Sequence, residues 1–244
     1  MVSQNSDPSN RPRRFYKTVD VAPSGPGFAV RLDGRTPKSP AGHPLLLPTQ
    51  ALAQLSAAEW DAQAEQIQST KMLATRWAWT ALDRAPTHRA EMVEEVVRYA
   101  ETDQLCYFAD GPTSLVERQE RRWGPMLDWA ASTLGVHFHR AQGIGFRPQP
   151  PETLEEIRKL AAALDDFDLT GLNAAAALFG SAILAFALQR GAITAEAAFD
   201  LGRLEEDFQE ERWGVDAEAQ DRADKQAVEA VLLERWFRAR NDNS

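Results

Sequence analysis

Seventeen consecutive residues, Leu172–Leu188 (LNAAAALFGSAILAFAL), carry no charge at all. A helix that is apolar on every side must be wrapped by protein or by lipid. The run sits at the short edge of what crosses a hydrocarbon layer of roughly 30 Å, so it predicts a buried central helix in a bundle and no membrane insertion. Ser181, inside that helix, is expected to bond back to a carbonyl of the preceding turn. The rest of the chain must then supply the helices that surround it, and 244 residues are enough to do so.

The pattern along the chain meets that demand. Phe15–Val21, Phe28–Leu32 and Pro44–Leu47 are short β-rich runs separated by APSGPG, DGRTP and SPAG, and Asp33-Gly34 falls where a tight hairpin turn is expected. Thr49 is placed to cap a helix running into QALAQLSAAEWDAQAEQI. Beyond it, helices are predicted over Met72–Arg84, Thr87–Ala100, Thr113–Leu134, Glu152–Leu164, Leu172–Arg190, Thr194–Arg212 and Asp216–Arg240, with Gly or Pro at the breaks. The fold class is therefore α+β: a small N-terminal antiparallel β-rich domain followed by a larger, mainly helical one. The divisions are a mobile polar tail over 1–14, the β-rich domain with helices at its end over 15–86, and the helical domain over 87–240.

Charge narrows the partners. The net charge is -9, which argues against nucleic acid, since phosphate binding needs clustered Lys and Arg. Residues 203–240 hold eleven acids against seven bases, whereas residues 1–40 hold seven bases against three acids. The one cysteine, Cys106, forms no internal disulfide, which fits a reducing compartment. The opening MVSQNSDPSNRPRR lacks the apolar core of a signal peptide and reads as a poor targeting helix.

Catalytic signatures are sparse. GIGF lacks the third glycine and preceding strand of a nucleotide loop, and no glycine-rich stretch ends in Lys-Ser or Lys-Thr. His137 and His139 would point to one side of a strand, but a closed metal site needs further ligands at matching spacing. Carboxylate pairs are plentiful, and glycoside hydrolysis needs only two. A hydrolase therefore remains an alternative, one that requires a deep cleft and a carboxyl of raised pKa.

The densest feature is RLEEDFQEERWG, Arg203–Gly214, with Glu205, Glu206, Asp207, Glu210 and Glu211 in twelve residues. At 100° per residue, Leu201, Leu204 and Phe208 share a packing face, Glu205 lies on its flank and Glu211 near it, while Glu206, Glu210 and Trp213 fall opposite. Glu206 and Glu210 repel at i, i+4. An exposed Trp213 on that acidic side would suit a basic, partly apolar partner, and the competing reading turns it back into the core at Gly214. Glu59 projects toward the core beside Trp60, which predicts a salt bridge to an Arg of TRWAWTALDRA that fixes how the domains meet. Trp123 and Trp129 flank a Gly-Pro that kinks or restarts its helix.

Four stretches in order, RLDGRTPKSPAGHPLLLPTQALAQLSAAEWDAQ, MLATRWAWTALDR, YAETDQLCYFADGPTSLVERQERRWGPMLDWA and LEEDFQEERWGVDAEAQDRAD, resemble the assembly chaperone of the F-type ATP synthase catalytic head that handles the α subunit. The similarity runs from about Phe15 to Ala230. It implies a non-enzymatic protein with no cofactor that binds the unassembled α subunit, prevents its aggregation and releases it to the β subunit. It places such proteins in the mitochondrial matrix and in α-proteobacteria; the lack of a convincing presequence and a composition rich in Ala and Arg then favour a soluble protein of the bacterial cytoplasm, or of the mitochondrial matrix in a eukaryote, and a monomer is the expected state. The family pattern L-E-x-x-(F/Y)-Q-x-x-x-W-G falls on Leu204, Glu205, Phe208, Gln209, Trp213 and Gly214, and the family's acidic functional residue on Glu205. Gln220, where a His is usual, and Trp77, where an aliphatic residue is usual, depart from it. The client-binding candidates are thus Glu205, Glu206, Gln209, Glu210 and Trp213, and the structural or interface candidates are Glu59, Trp60, Asp83, Asp103 and Trp123. A helical adaptor for another client is the remaining alternative.

Overall fold

The computed structural model describes residues 12–143 and 145–242. The chain divides into two compact units, Met1–Pro86 with Ala239–Ser244, and Thr87–Arg238. Of the predicted polar tail, residues 1–11 lie outside the described part. Arg13 bridges Gln66, and Arg14 donates its backbone N–H to Glu65 and its guanidinium to the carbonyls of Tyr16 and Asp61, so these two residues belong to the folded unit.

In the first unit, β1 (Val19–Ser24), β2 (Gly27–Leu32) and β3 (Leu46–Leu47) form an antiparallel sheet in sequence order. Strand β1 starts later than Phe15 because the N–H groups of Lys17 and Thr18 are taken by the Asp33 carboxylate instead of a ladder. The predicted tight turn is present: Asp33 and Gly34 have φ of 48° and 78°, and Leu32 and Arg35 bond reciprocally across it. Helix α1 (Gln50–Asp61) packs on the sheet through Leu52, Ala53, Ala57 and Trp60, and Thr49 caps it by accepting the Leu52 N–H at 3.2 Å.

Glu59 does not meet an arginine. Its two carboxylate oxygens accept the N–H groups of Ala74 and Thr75, each at 2.8 Å, at the start of α2 (Leu73–Asp83). A helix N-terminus offers unpaired donors and a positive dipole end, so it satisfies a half-buried carboxylate without a cation. Burial raises the Glu59 pKa and these bonds pull it back. Trp60 is buried, edge-on to Tyr16 and Trp79. Asp83, at the far end of α2, accepts from Ser39 Oγ and the Ala41 N–H and meets His43 Nδ1 at 2.8 Å, so it holds the loop before β3.

The second unit holds α3 (Ala85–Glu101) from Thr87 on, β4 (Tyr107–Phe108), α4 (Thr113–Trp129), β5 (Ala141–Gln142), α5 (Pro151–Ala162), α6 (Asp166–Phe179), α7 (Ala182–Gln189), α8 (Ala195–Gly202), α9 (Leu204–Trp213) and α10 (Ala217–Asn241) as far as Arg238. Helix α4 runs through Gly124-Pro125 without restarting and ends in a π turn, Ala130–Leu134. His137 and His139 lie outside any strand, and His139 is held by its backbone N–H on Gln149 Oε1. Among the described residues no group of three His, Cys, Asp or Glu side chains is placed to hold a metal ion.

The apolar run is two helices and not one. Gly180 takes a left-handed φ of 60° that ends α6, and Ser181 opens α7. All residues Ala182–Leu188 are buried, as a central helix requires, and no described helix is long and apolar enough to cross a membrane. The break puts polar helix ends inside the core, and two neighbouring side chains satisfy them. Asp103, 0% exposed, accepts from Ser181 Oγ at 2.9 Å and from the Ile183 N–H at 3.0 Å. Ser181 therefore caps α7, accepting the Leu184 N–H, instead of bonding back. Gln104 donates to the Phe179 and Gly202 carbonyls at 2.6 and 2.9 Å, closing the ends of α6 and α8. The predicted Thr194–Arg212 helix likewise divides, at Arg203.

Two predictions follow from these caps. Burial pushes the Asp103 pKa up from 3.8 to about 6, against its hydrogen bonds. A folded-state value above the unfolded one means that the native state holds the extra proton, so this contribution to stability is complete below about pH 4 and is lost as pH rises through about 6. The stability gap between wild type and Asp103→Asn, measured by denaturant unfolding, should shrink over that window by an amount on the order of 3 kcal/mol. Glu59→Ala leaves the first N–H groups of α2 without their acceptor and should destabilise by about 1–2 kcal/mol.

Candidate binding surface

Helix α9 buries only Leu204 and Phe208. Polar and cationic side chains hold the rest of it. The Arg118 guanidinium of α4 forks onto Glu211 with bonds of 2.8 and 2.7 Å. Arg118 and Arg212 also lie over the Phe208 ring at 5.1 and 4.2 Å, and Arg212 reaches Ser114 Oγ. Arg203, at the junction of α8 and α9, binds Asp207 at 3.3 Å and Glu210 at 2.9 Å. Gln119 is fully buried, with its carbonyl on the Ala109 N–H and its amide on Glu205 Oε1.

These contacts sort the carboxylates. Burial, and then the neighbouring Glu206 charge, raises the Glu205 pKa, while the Gln119 bond lowers it. Burial also raises Asp207, against the pull of Arg203. Glu211 is lowered by its hydrogen bonds from Arg118. Glu206 and Gln209 are exposed, and Trp213 is 86% exposed, so the indole does not fold back into the core. The residues at 206, 209 and 213 recur at i, i+3 and i+7 and form one solvent-facing strip, extended by the exposed Val215. A groove of about 410 Å³ runs along the other flank of α9, lined by Arg118, Arg121, Arg122, Asp200, Asp207 and Glu211 over Leu204.

The candidate residues therefore separate. Glu206, Gln209 and Trp213 are surface, while Glu205 and Glu210 are half-buried and tied to Gln119 and Arg203. Trp123 is core: its indole N–H reaches the Leu201 carbonyl at 3.0 Å and its ring stands edge-on to Phe108. Asp103 serves the core, and Glu59, Trp60 and Asp83 serve the first unit. Sequence reasoning missed Arg118, Gln119 and Arg203. Arg203 was legible, being four and seven residues before Asp207 and Glu210. Arg118 and Gln119 were not, because they lie 93 and 86 residues from the acids they hold.

The model of the family described as ATP12 chaperone protein matches residues 13–131. The mitochondrial protein atp12 of Schizosaccharomyces pombe is 27% identical over 95% of this chain and 85% of its own length. The crystal structure of Atp12 from Paracoccus denitrificans matches with a TM-score of 0.87 at 38% identity, over 94% of this chain and 98% of that one. A structure from Agrobacterium tumefaciens matches at 0.85 and 37% identity, over 93% and 85%. The matched structures reach beyond residue 131 to cover most of the helical unit. A small antiparallel sheet followed by this helical unit, shared almost end to end with Atp12, means that the chain belongs to the ATP12 family of ATP synthase assembly chaperones, which are not enzymes.

Proposed function

We propose that the chain binds the unassembled α subunit of the F-type ATP synthase head, keeps it from aggregating and yields it to the β subunit. The observation that carries this reading is Trp213, a large apolar ring left in solvent on a helix whose neighbouring acids are largely held by the chaperone itself. An exposed aromatic supplies the desolvated anchor of an interface, and Glu206 beside it supplies charge for steering toward a basic patch. The acids already paired to arginines contribute little further attraction, so the contact is weak enough for a larger partner surface to displace. The bacterial structures it matches support the cytoplasm as its place of action.

The test is light scattering as the α subunit of the same ATP synthase is diluted from denaturant. The chaperone should suppress aggregation at about one-to-one stoichiometry, and β subunit should reverse the capture. Trp213→Ala should weaken capture by on the order of tenfold or more with unchanged circular dichroism, the scale of an interface anchor. Full capture by a Trp213→Ala, Glu206→Lys double variant would remove the strip from the proposal.

Glu205 acts, on this reading, by seating α9. Glu205→Lys sets an ammonium against the Gln119 amide, so amide exchange across 204–213 should accelerate together with loss of capture, by roughly tenfold for each 1.4 kcal/mol of lost protection. Lost capture with unchanged exchange would instead make Glu205 a direct contact.

A further inference from the structure

Helix α10 packs on its own unit through Ala223, Ala230, Leu233, Trp236 and Phe237, with the Trp236 ring stacked on Phe167. Its opposite side carries Asp221, Asp224, Val228, Val231, Arg235 and Arg238, all exposed, with the two valines 66% and 50% exposed. The intervals between these six residues alternate three, four, three, four, three. That is the 3.5-residue repeat of a seam between paired helices. An α-helix presents such a stripe on one side only, and here it is the side turned away from the core.

The order of charges along the stripe names the occupant. Acids stand at one end, arginines at the other, and valines in the middle. We infer that this stripe pairs with the same stripe of a second copy of this chain, antiparallel and about a twofold axis near Glu229 and Ala230. In that register Val228 faces Val231 of the second copy, Asp224 faces its Arg235 and Asp221 faces its Arg238. A twofold interface must be self-complementary, and a helix with segregated charges is so only when antiparallel, because parallel pairing sets acid on acid and arginine on arginine. Asp221 now pairs with Lys225, and Arg238 with Glu234, within the helix. Asp221 and Arg238 are highly exposed, so trading these partners costs little. A single pair of helices buries less than the roughly 1,200 Å² of a stable interface, so the pair is a transient one that forms at high concentration. It departs from the monomer expected from the sequence, and it is independent of the α9 strip.

The experiment is sedimentation velocity on the full chain across a wide concentration range, up to several hundred μM, where contacts of this size populate. The wild type should shift from monomer toward dimer as concentration rises. Val231→Glu should abolish the shift, and Asp224→Arg or Arg235→Asp alone should do the same by opposing like charges. The double variant carrying both Asp224→Arg and Arg235→Asp should recover it, with circular dichroism unchanged throughout. A wild type that stays monomeric, an association indifferent to Val231→Glu, or a double variant that fails to recover would each overturn the pairing. A monomeric wild type whose Val231→Glu variant loses capture of the α subunit would give the stripe to the client instead.

Discussion

The structure of the helical unit depends on one buried carboxylate. An uncharged apolar segment of seventeen residues is broken at Gly180 and Ser181, and the break leaves the N–H groups of α7 where water does not reach. Unsatisfied, each buried donor would cost about 1–3 kcal/mol. Asp103 takes the Ser181 hydroxyl and the Ile183 N–H, and Gln104, the next residue, takes the carbonyls at the ends of α6 and α8. Two adjacent side chains therefore close three helix ends. Gln104 holds the carbonyl of Gly202, one residue before Arg203, so the residue that closes α6 also ties the end of α8, next to the start of α9, to the core.

Local chemistry was legible in the sequence, and long-range polar pairing was not. Asp33-Gly34 and Thr49 were readable because a tight turn and an N-cap are decided by residues a few positions apart. The helical nature of Leu172–Leu188 was readable from composition, but its division was not, because Asp103 lies 78 and 80 residues from the groups it caps. Without that partner in view, one long helix is the cheaper reading of the same residues. Glu59 shows the same limit from the other side. Burial of a carboxylate was evident from its helical face, yet spacing offered an arginine where the fold supplies a helix N-terminus.

On α9 the angular positions were readable and the pairings were not. The helical wheel placed Glu206 and Trp213 away from the packing face, which agrees with their exposure. It also placed Glu210 in mutual repulsion with Glu206, whereas Arg203 reaches across two turns to neutralise it. Five acids in twelve residues thus carry much less free charge than their count implies. Trp213 could not be placed from spacing, since a residue beside Gly214 can follow the helix or leave it.

The way α9 is held bears on what it does. A helix fixed by a large apolar face has a stability tied to the whole domain, because exposing that face requires the core to open. Helix α9 buries two apolar side chains and is otherwise held by guanidinium forks, a stacked Phe208 and the Gln119 amide. Such contacts are directional and fix orientation, but each is worth a fraction of a buried leucine when partly exposed to solvent. These contacts orient the helix so that it presents one strip, and they hold it less firmly than a large buried apolar face would. The capture and release proposed above would use both properties, since a surface that exchanges its client must be defined before the client arrives and given up afterwards.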